Sequence, residues 1–235
     1  MERITILALH GFLGHGHDWS HVQAYAKDFN WICPDLFSEC QVNTSSFDSA
    51  VDGIVQIIKN IKGPKIFLGY SLGGRIGLHI LNKFPTLFQH YIFISTHSGL
   101  ADSELRVQRL QSDLLWADKL KRQTWSDFLS DWNSQGVFSQ SQEVHRLEKD
   151  YLKDKLIHGL TTLSLGHQND MVELIKKNSS IVTWIYGAED SKFKSLAEAN
   201  KKLIPELKVI QTKKGHRIIF DSPEVIAEVL KTTSV

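Results

Sequence analysis

At 235 residues the chain is long for one domain and short for two, and it can bury a sizeable core without metals or disulfides. With 42% hydrophobic and 23% charged residues the composition is that of an ordinary globular protein. Lys and Arg number 27 against 26 Asp and Glu, a net charge of +1, which excludes the strong one-signed field of a protein built to hold nucleic acid or an acidic membrane.

Residues 4–9 open the chain with an apolar run. It is too short to span a bilayer and is followed by Gly and His, not by a small-residue cleavage site, and no later segment is long enough either. The two cysteines, Cys33 and Cys40, stand in no metal-ligand spacing and suit a reduced setting, although a bridge between them stays open. The expectation is a cytoplasmic protein with no membrane and no nucleic-acid partner.

Further short apolar runs at 31–34, 65–69, 91–95, 181–186 and 208–212 read as strands. Helical patterns at about 18–28, 47–61, 72–83, 191–203 and 223–231 separate them, the last with Ser222 as N-cap and Pro223 in its first turn. This alternation predicts an α/β fold, a mostly parallel sheet of about six strands with helices on both faces. Residues 102–178 break the rhythm, with Leu, Trp and Phe among charged residues at helical spacing and no strand. The reading is a core of 1–101 and 179–235 with a helical cap, 102–178, over the C-terminal edge of the sheet, where open parallel sheets bind ligands. The plainer alternative is a helical decoration that never meets substrate.

Gly69-Tyr70-Ser71-Leu72-Gly73 fits G-x-S-x-G, with an apolar strand before it and a helical run after it. A serine on so sharp a turn needs small neighbours, and the turn pushes its hydroxyl out over the sheet edge beside free helix N–H groups. This is the nucleophile elbow of the α/β-hydrolases. The turn His10-Gly11-Phe12 after the first strand is the second motif of that fold, and it would aim the Phe12 N–H at the same point as that of Leu72, an oxyanion hole. His10, His15 and His17 also admit a metal-site reading, which is the less favoured one.

A serine hydroxyl needs an imidazole to take its proton. His216, after the last strand, is the candidate base, and Asp190, after the penultimate strand, the candidate orienting acid; neighbouring Glu189 is the alternative. The order Ser, Asp, His is the one this fold uses, and each member follows a strand, so all three gather at one sheet edge. His79, His145 and His158 lie within helical stretches and read as surface or packing residues.

Several separated blocks carry a narrower resemblance. They are His10-Gly11-Phe12 with Asp18-Trp19, Gly69 through Arg75, His97-Ser98-Gly99-Leu100, and Arg106 and Arg109 before Ser112-Asp113 and Trp116. Asp131-Trp132 with Val137-Phe138, Gly187 through Asp190-Ser191-Lys192-Phe193, and Gly215-His216 complete the set. Together they resemble the 2-succinyl-6-hydroxy-2,4-cyclohexadiene-1-carboxylate synthases of menaquinone biosynthesis, pyruvate-eliminating members of the α/β-hydrolases. Two stretches depart from that pattern. His97-Ser98-Gly99 replaces His-Pro-Gly, and Asp35-Leu36-Phe37-Ser38-Glu39-Cys40 replaces Asp-Leu-Pro-Gly-His-Gly. A further cap arginine after Phe138 has two candidate matches, Arg146 and Lys153.

The resemblance implies a small polycarboxylate substrate, no metal and no organic cofactor, and it implies no particular oligomer. Ser71 and His216 would remove a ring proton, the Phe12 and Leu72 N–H groups would hold the enolate, and pyruvate would leave. The residues fit such a substrate. Arg75, one helical turn after Ser71, can grip a carboxylate with two hydrogen bonds. Arg109 is a second carboxylate anchor or a solvated helix residue, and Trp132 is a flat wall for a ring or plain core. The runner-up is an esterase or carbon–carbon bond hydrolase of the same fold. A non-catalytic ligand-binding protein ranks last, because all three triad residues are present.

Overall fold

The computed structural model describes residues 2–37 and 42–233; Cys40 and the other residues of 38–41 lie outside them. Six strands form one all-parallel sheet among the described residues: β1 (Thr5–Leu9), β2 (Asn30–Ile32), β3 (Lys65–Tyr70), β4 (His90–Ile94), β5 (Val182–Gly187) and β6 (Lys208–Thr212), in the order β2-β1-β3-β4-β5-β6. Helix α1 (Ser20–Gln23) follows β1, α2 (Phe47–Ile58) follows β2, and α3 (Leu72–Lys83) follows β3. Helix α8 (Ser191–Leu203) joins β5 to β6, and α9 (Ile218–Asp221) and α10 (Pro223–Thr233) close the chain.

The two faces of the sheet are separated by the period of two along each strand. Leu7, Leu9, Phe67, Tyr91, Phe93 and Trp184 point to one side, where they pack with Ile54 of α2, Ile76 and Ile80 of α3 and Ala197 of α8. Ile6, Ala8, Ile66, Leu68, Ile92, Ile94 and Ile185 point to the other, against Trp19, Val22 of α1 and Ile226 and Leu230 of α10. Both faces are covered, so the four central strands are buried and mostly apolar along their length, whereas the edge strands β2 and β6 are partly exposed. Each fully buried Leu, Ile or Phe contributes roughly 1.5–3 kcal/mol.

Between β4 and β5 the chain is helical: α4 (Ser103–Arg122), α5 (Trp125–Asn133), α6 (Lys153–Thr162) and α7 (Val172–Lys177), with short 3-10 turns among them. The starts are marked by side chains. The Asp102 carboxylate accepts from the Glu104 and Leu105 N–H groups, and the Thr124 hydroxyl accepts from Asp127 N–H. Apolar residues of this segment, Ala117, Leu120, Phe128, Leu156 and Leu160, belong to the same core as the sheet face that carries α3.

The helix expected at 18–28 is a 3-10 turn, Gly16–Trp19, followed by the short α1. The chain then tightens into i to i+3 bonds, Tyr25 N–H to Val22 and Ala26 N–H to Gln23, which turn the Ala26 carbonyl toward the Trp31 indole N–H. The second strand stops at Ile32, two residues before Pro34, which has no N–H to give to a ladder. Helix α9, directly after His216, had no counterpart in the sequence pattern.

Candidate active site

Ser71 occupies the turn between β3 and α3 with φ 52° and ψ −111°, a region that costs an L-residue strain energy. Its N–H donates to Ile94 O at 2.9 Å, which fixes the turn to β4. A Cβ at Gly73 would collide with the Leu9 carbonyl, and one at Gly69 would stand 2.5 Å from Gly74 Cα, so only glycines permit this approach. As the first residue of α3, Leu72 leaves its N–H free, and among the described residues the Phe12 N–H has no partner either.

The loop that carries Phe12 is held by His10. Leu36 N–H donates to His10 Nε2 at 2.9 Å, so Nδ1 carries the proton and donates to Gly11 O at 2.7 Å. Burial pushes this imidazole down to about 4, and it stays neutral. Both ring nitrogens are thus used in shaping the turn. His15 faces Asp35 at 3.7 Å and His17 faces Asp18 at 3.7 Å. Among the described residues no group of three or more His, Cys, Asp or Glu could hold a metal ion.

His216 Nδ1 and Asp190 Oδ2 are 2.6 Å apart and both residues are buried. The other Asp190 oxygen accepts from Phe193 N–H at 3.2 Å, so one carboxylate caps α8 and orients the imidazole together. Glu189 is exposed. With Nδ1 donating to the carboxylate, Nε2 is left as the basic nitrogen. Burial lowers the His216 pKa and Asp190 opposes that, with the net shift downward.

Two adjacent hollows lie above this edge, both lined by Phe12, Ser71 and Trp132. The first also has Arg75, His97, Arg109, Asp113 and Lys192 on its walls. Arg75 donates to Leu163 O at 2.9 Å, and burial and the Arg109 charge push its guanidinium down to about 9, still charged at neutral pH. Arg109 uses Nε on Asp113, 2.9 Å from each oxygen, which leaves its terminal nitrogens for a ligand. Trp132 combines the two readings open for it, because it packs on Phe12 and Trp116 at centroid distances of 4.9 and 5.0 Å and also walls both hollows.

The second hollow adds Asp18, Tyr70, Arg146, His216 and Arg217. Arg146, one candidate for the further carboxylate anchor, is held by Asp18 through two bonds of 2.8 and 2.7 Å. Lys153, the other, faces Glu148 at 3.6 Å and lines neither hollow. Among the wall residues without an individual role in the sequence reading are three with basic side chains, His97, Lys192 and Arg217. The first two lie in motif blocks; Arg217 was marked only by standing next to His216.

An all-parallel sheet with a strained serine at the strand-to-helix turn and a His–Asp pair at the same edge defines a class of enzymes. A family model described as the alpha/beta hydrolase family matches residues 6–229, and the chain belongs to that family. The 2-succinyl-6-hydroxy-2,4-cyclohexadiene-1-carboxylate synthase of Yersinia pestis (strain Pestoides F) is 30% identical over 200 residues, 81% of this chain and 74% of the relative. That of Enterobacter sp. (strain 638) is 27% identical over 237 residues, 96% of this chain and 89% of the relative. MenH from S. aureus shares the fold, with a TM-score of 0.86 at 23% identity over 99% of this chain and 95% of that one. Within the alpha/beta hydrolases the chain stands with these synthases.

Proposed function

We propose that this enzyme eliminates pyruvate from a succinyl, enolpyruvyl cyclohexene carboxylate to give 2-succinyl-6-hydroxy-2,4-cyclohexadiene-1-carboxylate, a step of menaquinone biosynthesis. Beside the relatives' names, one observation carries the reading: three cationic side chains, Arg75, Arg109 and Lys192, share a hollow with Ser71. A neutral ester would leave them desolvated and unused, whereas a polycarboxylate answers them.

Ser71 and His216 act together as the base. The ring C–H bond beside the succinyl carbonyl breaks, and its proton passes through the serine hydroxyl to His216 Nε2. Negative charge collects on the carbonyl oxygen, where the Phe12 and Leu72 N–H groups stabilise it, an interaction worth a few kcal/mol per donor. The electron pair then moves through the ring alkene and expels the enolpyruvyl oxygen, leaving a conjugated diene. The expelled enolate takes up the proton and becomes pyruvate, so atoms and charge balance without water or a co-reactant. Asp190 fixes the imidazole tautomer and stabilises the imidazolium. Arg75 and Arg109 hold carboxylates, and Trp132 offers a face to the ring. Residues 102–178 serve as a cap that supplies the outer wall.

The test is to offer the purified enzyme the enolpyruvyl substrate and a panel of neutral acyl esters. Stoichiometric pyruvate and diene absorbance are expected, with the protein mass unchanged during turnover. An acyl-Ser71 species, or brisk ester hydrolysis without pyruvate, would reverse the assignment in favour of a hydrolase. No helix among the described residues is long and apolar enough to cross a membrane.

A further inference from the structure

Arg217 is a buried cation without a counter-charge. It is 8% exposed, and among the described residues no carboxylate lies within ion-pair distance of it. Asp221 and Glu143 reach it only through their longer-range field, which Arg146 opposes. Its Nη1 donates to Gln142 O at 2.8 Å, Nη2 donates to Asn133 Oδ1 at 2.5 Å, and the guanidinium lies 4.3 Å from the centre of the Phe138 ring. Two of its five N–H donors are therefore met by neutral acceptors, and it stands on the wall of the second hollow with Ser71 and His216.

A clasp between the helical segment and the core needs no charge. A neutral amide can bridge a carbonyl and an asparagine, and a buried unpaired cation is costly unless an anion arrives to pair with it. The charges of the two hollows sharpen the point. On the walls of the first, Arg75, Arg109 and Lys192 outnumber the one carboxylate, Asp113, by two, and the field of buried Asp190 reaches Lys192 from behind. Around the second, Arg146 is neutralised by Asp18, and Arg217 leaves one. His97 and His216 are held toward their neutral forms by burial.

We propose that Arg217 binds the carboxylate of the three-carbon leaving group, so that the second hollow is the site from which the α-keto acid departs. This rests on the elimination reading and deepens it. The retained ring and its succinyl chain carry two carboxylates, which match the excess of two cations on the walls of the first hollow. The single carboxylate of the enolpyruvyl arm matches the one charge of the second. Ser71, Phe12 and Trp132, common to both, then lie where the ring C–H and C–O bonds break. Arg217 and His216 line the same hollow, so the expelled enolate forms beside the protonated imidazole that returns its proton.

The experiment measures pyruvate as product inhibitor and as ligand. Arg217→Gln keeps a donor for Gln142 and Asn133 but removes the charge; Arg217→Lys keeps the charge; Asn133→Ala removes one clasp bond and leaves Arg217 in place. The Arg217→Gln variant is expected to weaken competitive inhibition by pyruvate about tenfold or more and to raise KM, with Arg217→Lys recovering part of the loss. Asn133→Ala, which alters the same hollow but leaves the Arg217 charge in place, is expected to weaken pyruvate inhibition clearly less than Arg217→Gln does. Pyruvate titrated alone, followed through tryptophan fluorescence, keeps this separate from the reaction itself. If wild type releases no pyruvate from the enolpyruvyl substrate, the elimination reading fails, and fluorescence titration still decides whether Arg217 holds a small keto acid. Wild-type affinity for pyruvate in a folded Arg217→Gln protein, absence of pyruvate binding to wild type, or an equal loss in Asn133→Ala would each overturn the proposal.

Discussion

His216 works as a base only while its imidazole is neutral, and its surroundings set the pH at which that holds. Burial penalises the charged ring, Asp190 favours it through a hydrogen bond and its charge, and Arg217 and Lys192 add repulsion. The net result is a folded-state pKa below the ordinary 6.5. The sign follows directly: the competent neutral form persists as pH falls past 6.5 and is lost only as pH passes the lower folded value. The acid limb of a kcat/KM profile for the free enzyme should therefore have its midpoint below 6.5. Arg217→Gln removes one of the repelling charges, so the same limb should move to higher pH. A wild-type midpoint above 6.5 would mean that the Asp190 charge outweighs burial.

At the level of elements, the helical segment is fastened to the core by a buried ion pair. The Asp18–Arg146 bonds join the loop before α6 to the turn after β1, and Tyr151 adds a hydrogen bond to Leu13 O at 2.7 Å. Burial alone would raise the Asp18 carboxyl, but the Arg146 hydrogen bonds and charge outweigh it and hold it below 3.8. A carboxyl depressed in the folded state contributes stability above its unfolded value and loses it as pH falls through the folded one. Asp18→Asn leaves Arg146 buried without its partner, which should cost about 3–5 kcal/mol. The measurement is denaturant unfolding at neutral and acid pH. Lower stability at neutral pH is expected, with a shallower decline below about pH 4 than wild type shows. Substituting Arg146 with Met as well should recover part of the loss, because no buried charge is then left alone.

The limits of the sequence are visible in the same contacts. The elbow, the His10 turn and the strands before Asp190 and His216 were legible because each is a local pattern, a short apolar run followed closely by glycine. Asp190 could be separated from Glu189 only by the family habit, and the 2.6 Å contact to His216 now identifies the neighbour that faces the ring. Arg146 was a candidate carboxylate anchor because its partner sits 128 residues away, beyond what spacing reveals. Arg217 escaped notice for the same reason, since Asn133 is 84 residues distant. Which arginine is already paired, and which still needs an anion, is a property of long-range packing.

For the molecule as a whole, the contrast is between a chain of net charge +1 and a cleft whose walls carry five Arg and Lys side chains against two carboxylates, Asp18 and Asp113. Cations set in a low-dielectric recess focus the field outward and raise the encounter rate of an anion with the site. The reach of that field depends on salt, about 30 Å at 0.01 M and about 8 Å at 0.15 M ionic strength. For a substrate with three carboxylates, kcat/KM should fall severalfold across that range, while the slow turnover of a neutral ester should stay level. Arg75→Ala should flatten the salt dependence as well as lower kcat/KM by about tenfold or more, the loss of one charge-assisted carboxylate contact. Initial rates at subsaturating substrate, with both substrate types in the same buffers, decide the matter. A flat salt response for the tricarboxylate, or equal responses for the two, would show that the cations serve packing and not the capture of a polyanion.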